Sequence, residues 1–228
     1  MFKVGVSGSY GGLNLGDEAI LQALIAELRQ SIPVEITVFS RDPADTLRRH
    51  KVDRALPVRS MSRDEVLPEI ERLDLFILGG GGILFDAEAR IYLREVALAH
   101  ELGVPVMTYA ISVGPLHDPA AQKLVRDNLA AAALTVREKS ARHLLEEIGI
   151  HREIIVTADP VLLARPESLP AGALKNEGLA GRERLVGISV REPGVAAPDI
   201  DQNMYHALLA NAADFMVDRF HADVVFVP

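Results

Sequence analysis

Short β-rich apolar runs alternate with helix-period patterns from the first residues of this chain, and that alternation restricts its fold more than any other feature. Phe2 to Ser7 is the first run. Asp17 to Gln30 is the first helix pattern, with Ile20, Leu21, Leu24, Ile25 and Leu28 on one face. Strand patterns recur at Val34 to Phe39, Ala55 to Val58, Leu73 to Leu78, Val104 to Ile111, Ala133 to Val136 and Ile154 to Thr157. Helix patterns fall between them at Asp42 to His50, Arg63 to Arg72, Glu88 to Leu102, Pro119 to Ala131 and Lys139 to Ile148. Strands and helices in this order make βαβ units and a largely parallel sheet. Right-handed crossovers then place helices on both faces. Residues 1 to 163 are expected to form one doubly wound, Rossmann-like α/β domain.

Residues 164 to 184 break the pattern. Pro166, Pro170, Gly172, Gly178 and Gly181 stand among few apolar residues, the composition of a linker. A strand at Leu185 to Val190, a helix at Asp201 to Phe220 and a strand at Val224 to Val227 follow, one further βαβ unit over residues 185 to 228. A unit of that size with an open parallel edge buries little core of its own. The expectation is therefore the start of an incomplete second Rossmann-like domain.

Composition narrows the chemistry. A net charge of −8 disfavours nucleic acid and anionic membranes as partners. The absence of cysteine removes disulfides, thiolate catalysis and cysteine-based zinc sites. No signal-peptide pattern or membrane-length apolar run is present, and the expected location is the cytoplasm.

Ligands of open α/β sheets bind beyond the carboxyl ends of the strands. Four segments there carry unusual residues. The first is Ser7 to Glu18, SGSYGGLNLGDE, whose glycines allow close approach to a ligand. It lacks the Lys-Ser/Thr pair of a P-loop and the spacing of a dinucleotide fingerprint. Asp17 and Glu18 already occupy the positive end of the helix dipole, which disfavours phosphate there and suits sugar hydroxyls. The plain alternative is that Asn14 or Asp17 only caps the helix. The second segment is the glycine run Gly79, Gly80, Gly81 and Gly82 followed by Asp86. Four glycines after a buried strand exceed what a turn requires, which favours close approach of a ligand or a facing domain. The third holds Ser112, Gly114, Pro115 and His117; the fourth joins Arg137, Glu138 and Ser140 to Thr157, Asp159 and Pro160. Arg137 with Glu138 reads as a strand-end ion pair, and Asp159 before Pro160 as a turn.

Taken together, NLGDEA at 14 to 19, the Gly79 to Asp86 run, Val113-Gly114-Pro115, Val136-Arg137-Glu138 with Ser140, Thr157 to Pro160 and Gly187 to Arg191 resemble the polysaccharide pyruvyl transferase family. Within it they are most similar to the CsaB-like cell-wall pyruvyl transferases. The resemblance implies a GT-B-like architecture and transfer of pyruvate from phosphoenolpyruvate to two hydroxyls of a polysaccharide or lipid-linked sugar, giving a ketal. No metal or cofactor is implied. It places Asn14, Asp17, Glu18, Gly80, Gly81, Gly82 and Asp86 on the acceptor side, and Arg191 on the donor. Arginine suits that donor because its planar fork clamps carboxylate and phosphate. Ser112 and Phe85 depart from the family's usual Gln and polar residue. The family's Arg-Leu-His segment does not occur in these residues. The general acid is therefore expected outside them, and residues 1 to 228 alone are expected to be inactive. A nucleotide-sugar glycosyltransferase of the same architecture and a non-catalytic fragment are the competing readings. An NADP-dependent oxidoreductase is a poorer one, resting on Arg41 at the second strand's end without the glycine fingerprint.

Overall fold

In the computed structural model, residues 1–164, 168, 170–193, 197 and 199–227 are described. The chain divides into two compact units, Met1–Arg165 and Pro166–Pro228.

The first unit is built on a parallel sheet. Its elements run β1 (Phe2–Ser7), α1 (Leu15–Ser31), β2 (Val34–Ser40), α2 (Pro43–Arg49), β3 (Arg54–Pro57), α3 (Arg63–Glu71) and β4 (Leu75–Leu78). After these come β5 (Gly81–Leu84), α4 (Ala89–Glu101), β6 (Val106–Val113), α5 (Pro119–Leu129), β7 (Ala133–Val136), α6 (Lys139–Glu147) and β8 (Ile154–Val156). A 3-10 turn, Pro160–Leu163, closes the unit and packs against α1. The strand order is β3-β2-β1-β4-β6-β7-β8, and every pairing is parallel. The order reverses between β1 and β4, the switch point at which open α/β sheets bind ligands. The doubly wound, Rossmann-like α/β fold expected of this unit is the one observed.

Alternation along each strand feeds two cores. Val4, Val6, Ile36, Val38 and Ile77 pack with Leu21, Leu24 and Ile25 of α1 on one face. Phe76, Leu78 and Ile111 pack with Val66, Tyr92, Leu93, Val96, Val125 and Leu145 on the other. Both faces are covered, so the strands read as near-continuous apolar runs.

The glycine run departs from a simple loop. Gly81 and Gly82 open β5, which pairs with the second half of β6, Gly81 beside Ile111 and Gly82 beside Ser112, while β4 pairs with the first half. β4 and β5 are thus one line of pairing interrupted at Gly79 and Gly80. β6 adapts with a bulge: its register shifts between Thr108 and Ile111, and Ala110 takes a positive φ of 49°. Thr135 repairs the ladder there, its hydroxyl accepting the Ala110 N–H at 2.7 Å.

The second unit contains α7 (Ala173–Asn176), β9 (Leu185–Ser189), α8 (Gln202–Phe220) and β10 (Asp223–Val227). β9 and β10 pair in parallel and α8 connects them. Within the stretch read as a linker, residues 164 to 184, α7 adds one helical turn after Gly172, which takes a left-handed conformation. Pro166 lies outside the described residues. Met204, Leu208 and Phe215 on α8 are exposed.

Candidate functional site

The carboxyl edge of the first unit's sheet carries the site, centred on the loop from β1 into α1. Asn14 caps α1, its side chain accepting the Gly16 N–H at 3.0 Å. Asp17 stands in the first turn, partly exposed, against β5: a Cβ built on Gly81 would lie 2.9 Å from its carboxylate. Gly81 has a φ of 98°, and a Cβ on Gly82 would meet nothing within 4 Å. Asp17, Gly81 and Gly82 therefore converge at the switch point, with open space beside Gly82. Asn14 sits three residues before Asp17 on the exposed lip of the same loop.

Three other expected acceptor residues are placed differently. Glu18 is buried and fully engaged, one oxygen accepting the Gly11 N–H at 2.8 Å and the other 2.7 Å from His50 Nε2. It braces the loop instead of facing a ligand, because a carboxylate at 6% side-chain exposure must use its oxygens internally. Gly80 is closed over by the protein itself: a Cβ there would lie 2.9 Å from Ile20 Cγ2. Asp86 accepts the backbone N–H groups of His117, at 3.0 and 2.9 Å, and of Asp118, at 3.0 Å. It fastens the segment after β6, and α4 begins at Glu88 without a side-chain cap.

Tyr10 is the residue of this loop that sequence reasoning passed over. Its ring is completely buried, and its hydroxyl has no hydrogen-bond partner among the described residues. Burial, followed by the charges of Asp17 and Glu18, pushes its phenol well above the ordinary value.

A second line of polar groups crosses the ends of β6, β7 and β8. Ser112 donates to Glu138, Glu138 pairs with Arg137 at 3.2 Å, and Arg137 reaches Asp159 at 2.6 Å. The Arg137–Glu138 pair was legible in the sequence; its links to Ser112 and Asp159 come from strand order, which places β7 between β6 and β8. Asp159 in turn caps the 3-10 turn through the Val161 N–H at 3.0 Å. Beside it, Tyr109, Ala110, Thr135, Thr157, Pro160 and Leu162 line a cavity of about 320 Å³. Arg137→Met is expected to loosen this turn. A solvent-accessible, half-buried ion pair carries about 1 kcal/mol, so native-state hydrogen exchange at Val161 should quicken by roughly five-fold. Unchanged exchange would remove Arg137 from that role.

Arg191 belongs to the second unit. It follows β9, is exposed, and its carbonyl accepts the Tyr205 hydroxyl at 2.9 Å. Its neighbour Glu192 is held by His206 and Gln202.

The sequence model of the polysaccharide pyruvyl transferase family matches residues 14–228, nearly the whole chain. The chain belongs to that family. Comparison with curated proteins gives no match. Among solved structures, the chain is similar to a UDP-N-acetylglucosamine 2-epimerase at 13% identity and TM-score 0.58, covering 99% of this chain and 60% of that one. It is similar to the S. aureus MnaA–UDP co-structure at 15% identity and TM-score 0.61, covering 99% and 62%. The Neisseria meningitidis UDP-GlcNAc 2-epimerase bound to UDP-GlcNAc matches at 14% identity and TM-score 0.55, covering 100% and 65%. The chain thus spans less than two thirds of the length of these structures, and at such identities the likeness is one of fold. No helix among the described residues is long and apolar enough to cross a membrane.

Proposed function

We propose that this protein takes part in transfer of a pyruvyl group from phosphoenolpyruvate to two hydroxyls of a cell-surface polysaccharide sugar. The family match over residues 14–228 carries this reading. In the reaction the methylene carbon of the donor gains a proton and becomes a methyl group. One sugar hydroxyl adds to the adjacent carbon and a second displaces phosphate there, so two C–O bonds form and one breaks. The hydroxyl protons leave to the general base and with the phosphate. The balance needs no metal, redox partner or cofactor, and the reaction is assigned to the cytoplasm, where phosphoenolpyruvate is made.

The switch-point residues fit the acceptor half. Asp17 and the open backbone at Gly82 present acceptors and small surfaces, which suits hydroxyl donors. Asn14 belongs to the same lip. Arg191, exposed at the end of β9, has the planar fork that a carboxylate–phosphate donor requires. Glu18, Gly80 and Asp86 keep the acceptor loops in place.

The test follows the methylene carbon. The natural full-length protein is incubated with phosphoenolpyruvate labelled with ¹³C at that carbon and with cell-surface polysaccharide of the cells that make it. A labelled methyl signal on the polysaccharide, with equal release of phosphate, is expected. Asp17→Asn should lower kcat/KM for the polysaccharide by roughly 10- to 100-fold, the worth of a charge-assisted hydrogen bond. Consumption of the donor without a methyl signal on the sugar, or no consumption, would sink the proposal.

A further inference from the structure

Beyond the ends of β2 and β3 and on α4, three arginines gather around Tyr92 and Glu95. Arg41 follows β2, Arg59 follows β3 and Arg94 lies on α4. Tyr92 of α4, fully buried, ties the first two together. Arg41 donates to its hydroxyl at 2.7 Å, and the Arg59 guanidinium carbon stands 4.7 Å from the centre of its ring. Two like charges are thus held within the length of one side chain.

Their compensation is incomplete. Glu95 is completely buried and belongs chiefly to Arg94, whose Nε reaches it at 2.7 Å; the Ser7 hydroxyl donates to it at 3.4 Å. The remaining Arg94 nitrogens serve the carbonyls of Met61 and Val58. Arg59 donates one nitrogen to the Ile91 carbonyl at 3.1 Å and lies 3.7 Å from Glu95. Its Nε and Nη2 are shielded from solvent and have no partner among the described residues. Burial holds the Arg59 guanidinium below its ordinary pKa and the Glu95 carboxyl above its own, the marks of charge poorly repaid. The nearest acids on α2 do not supply the balance. Asp42 caps that helix by accepting the Asp45 N–H, and Asp45 is paired with Arg48 and Arg49. Surplus positive charge therefore persists here in a chain of net charge −8.

The surroundings admit a ligand. Arg41 is exposed, and so is Gly12 in the loop from β1; a Cβ on Gly12 would lie 3.4 Å from Arg41 Nη1. We propose that Arg41, Arg59 and the Gly12 segment form a site for a phosphoryl oxyanion. Arg41 makes the first contact from solvent. Arg59, with two donors unused among the described residues, supplies the second charge behind it. A tetrahedral anion suits the pair because its several oxygens accept from both forks at once. The site lies on the same carboxyl edge as the acceptor loops, and its phosphoenolpyruvate alternative rests on the proposed reaction. Its phosphoryl group has two possible sources, a phosphate ester such as phosphoenolpyruvate or the diphosphate of an activated sugar.

Calorimetric titration of the 228-residue chain with phosphoenolpyruvate and, separately, inorganic pyrophosphate tests the site and distinguishes the sources. Saturable binding of at least one is expected, weakened about ten-fold or more by Arg41→Gln and by Arg59→Gln, the loss of a charge-assisted contact. Arg142→Gln, which removes only a pair with Glu146 on α6, should leave it unchanged. Tighter pyrophosphate binding assigns the site to a diphosphate, tighter phosphoenolpyruvate binding to the donor. If Arg59→Gln does not fold, the exposed Arg41→Gln decides. Absence of saturable binding at millimolar ligand, or an equal loss in Arg142→Gln, overturns the site. A chain that binds pyrophosphate through Arg41 without ever transferring pyruvate would keep this site and discard the proposed reaction.

Discussion

Gly79→Ala is expected to cost about 3 kcal/mol of folding stability, the upper end of ordinary overpacking. A Cβ at that position would lie 1.9 Å from the Tyr10 hydroxyl, 2.9 Å from Cζ and 3.2 Å from Cε2. The ring cannot retreat. A Cβ on Gly8 would already lie 2.7 Å from Cε2, so the tyrosine is sandwiched between two bare Cα positions. The backbone cannot retreat either, because the Gly79 N–H donates to the Ser7 carbonyl at 2.7 Å and the Tyr10 carbonyl accepts from Arg41 at 2.9 Å. Tyr10→Phe makes the argument quantitative. Its hydroxyl is buried without a partner among the described residues, so removing it should be neutral or stabilise by about 1 kcal/mol. In the double variant the 1.9 Å contact disappears while the ring contacts remain, and roughly half of the Gly79→Ala loss should return. Urea unfolding at constant slope reads all three values. If Tyr10→Phe instead destabilises by more than about 1 kcal/mol, the hydroxyl has a partner and the packing account fails.

That pair of residues also marks where the sequence was readable and where it was not. The glycine run was conspicuous, and it was read as close approach of a ligand or a facing domain. At Gly79 and Gly80, however, the approaching groups are Tyr10 and Ile20 of the same chain. Nothing in a run of glycines says which side chain fills the space, nor that Gly81 and Gly82 resume pairing with β6, because residues without side chains carry no alternation. The strands were legible for the opposite reason: parallel strands buried on both faces leave unbroken apolar runs, and Val34 or Ala133 begins its element where the pattern does. The turns at Pro160–Leu163 and Ala173–Asn176 are too short to show a helical period. Among polar groups, Asn14 could be read as a cap because its partner is two residues away. Glu95 left a fainter signal, an acid between Tyr92 and Val96 on the apolar stripe of α4, and two of its partners, Ser7 and Arg59, come from distant parts of the chain.

Glu18 is the hardest of these cases, and its removal should reorganise the whole first loop. Gly11, which it holds, has a φ of 71°, and a Cβ there would lie 2.3 Å from Ser40 Oγ and 2.6 Å from the Asp42 nitrogen. The loop therefore leans directly on the backbone that starts α2. His50, the other partner, ends α2 and is buried, 32 residues away in sequence. One carboxylate thus fixes both ends of α2 to the beginning of α1. Glu18→Ala leaves the Gly11 N–H and a histidine nitrogen buried without partners, at about 1–3 kcal/mol each, so a total loss near 3 kcal/mol is expected. Glu18→Gln retains an acceptor for Gly11 and presents an amide to His50, and should recover most of that loss. Faster hydrogen exchange at Gly11 and at the Arg41 N–H is expected in the alanine variant even where the sheet stays protected, since the Tyr10–Arg41 hydrogen bond belongs to the same loop. If the same loop supplies the acceptor lip, sugar binding should weaken with it, whereas a purely structural brace far from the ligand would leave binding intact in the folded fraction. Equal stability of the alanine and wild-type chains would show that the buried pair contributes nothing, and the account of this loop would have to be abandoned.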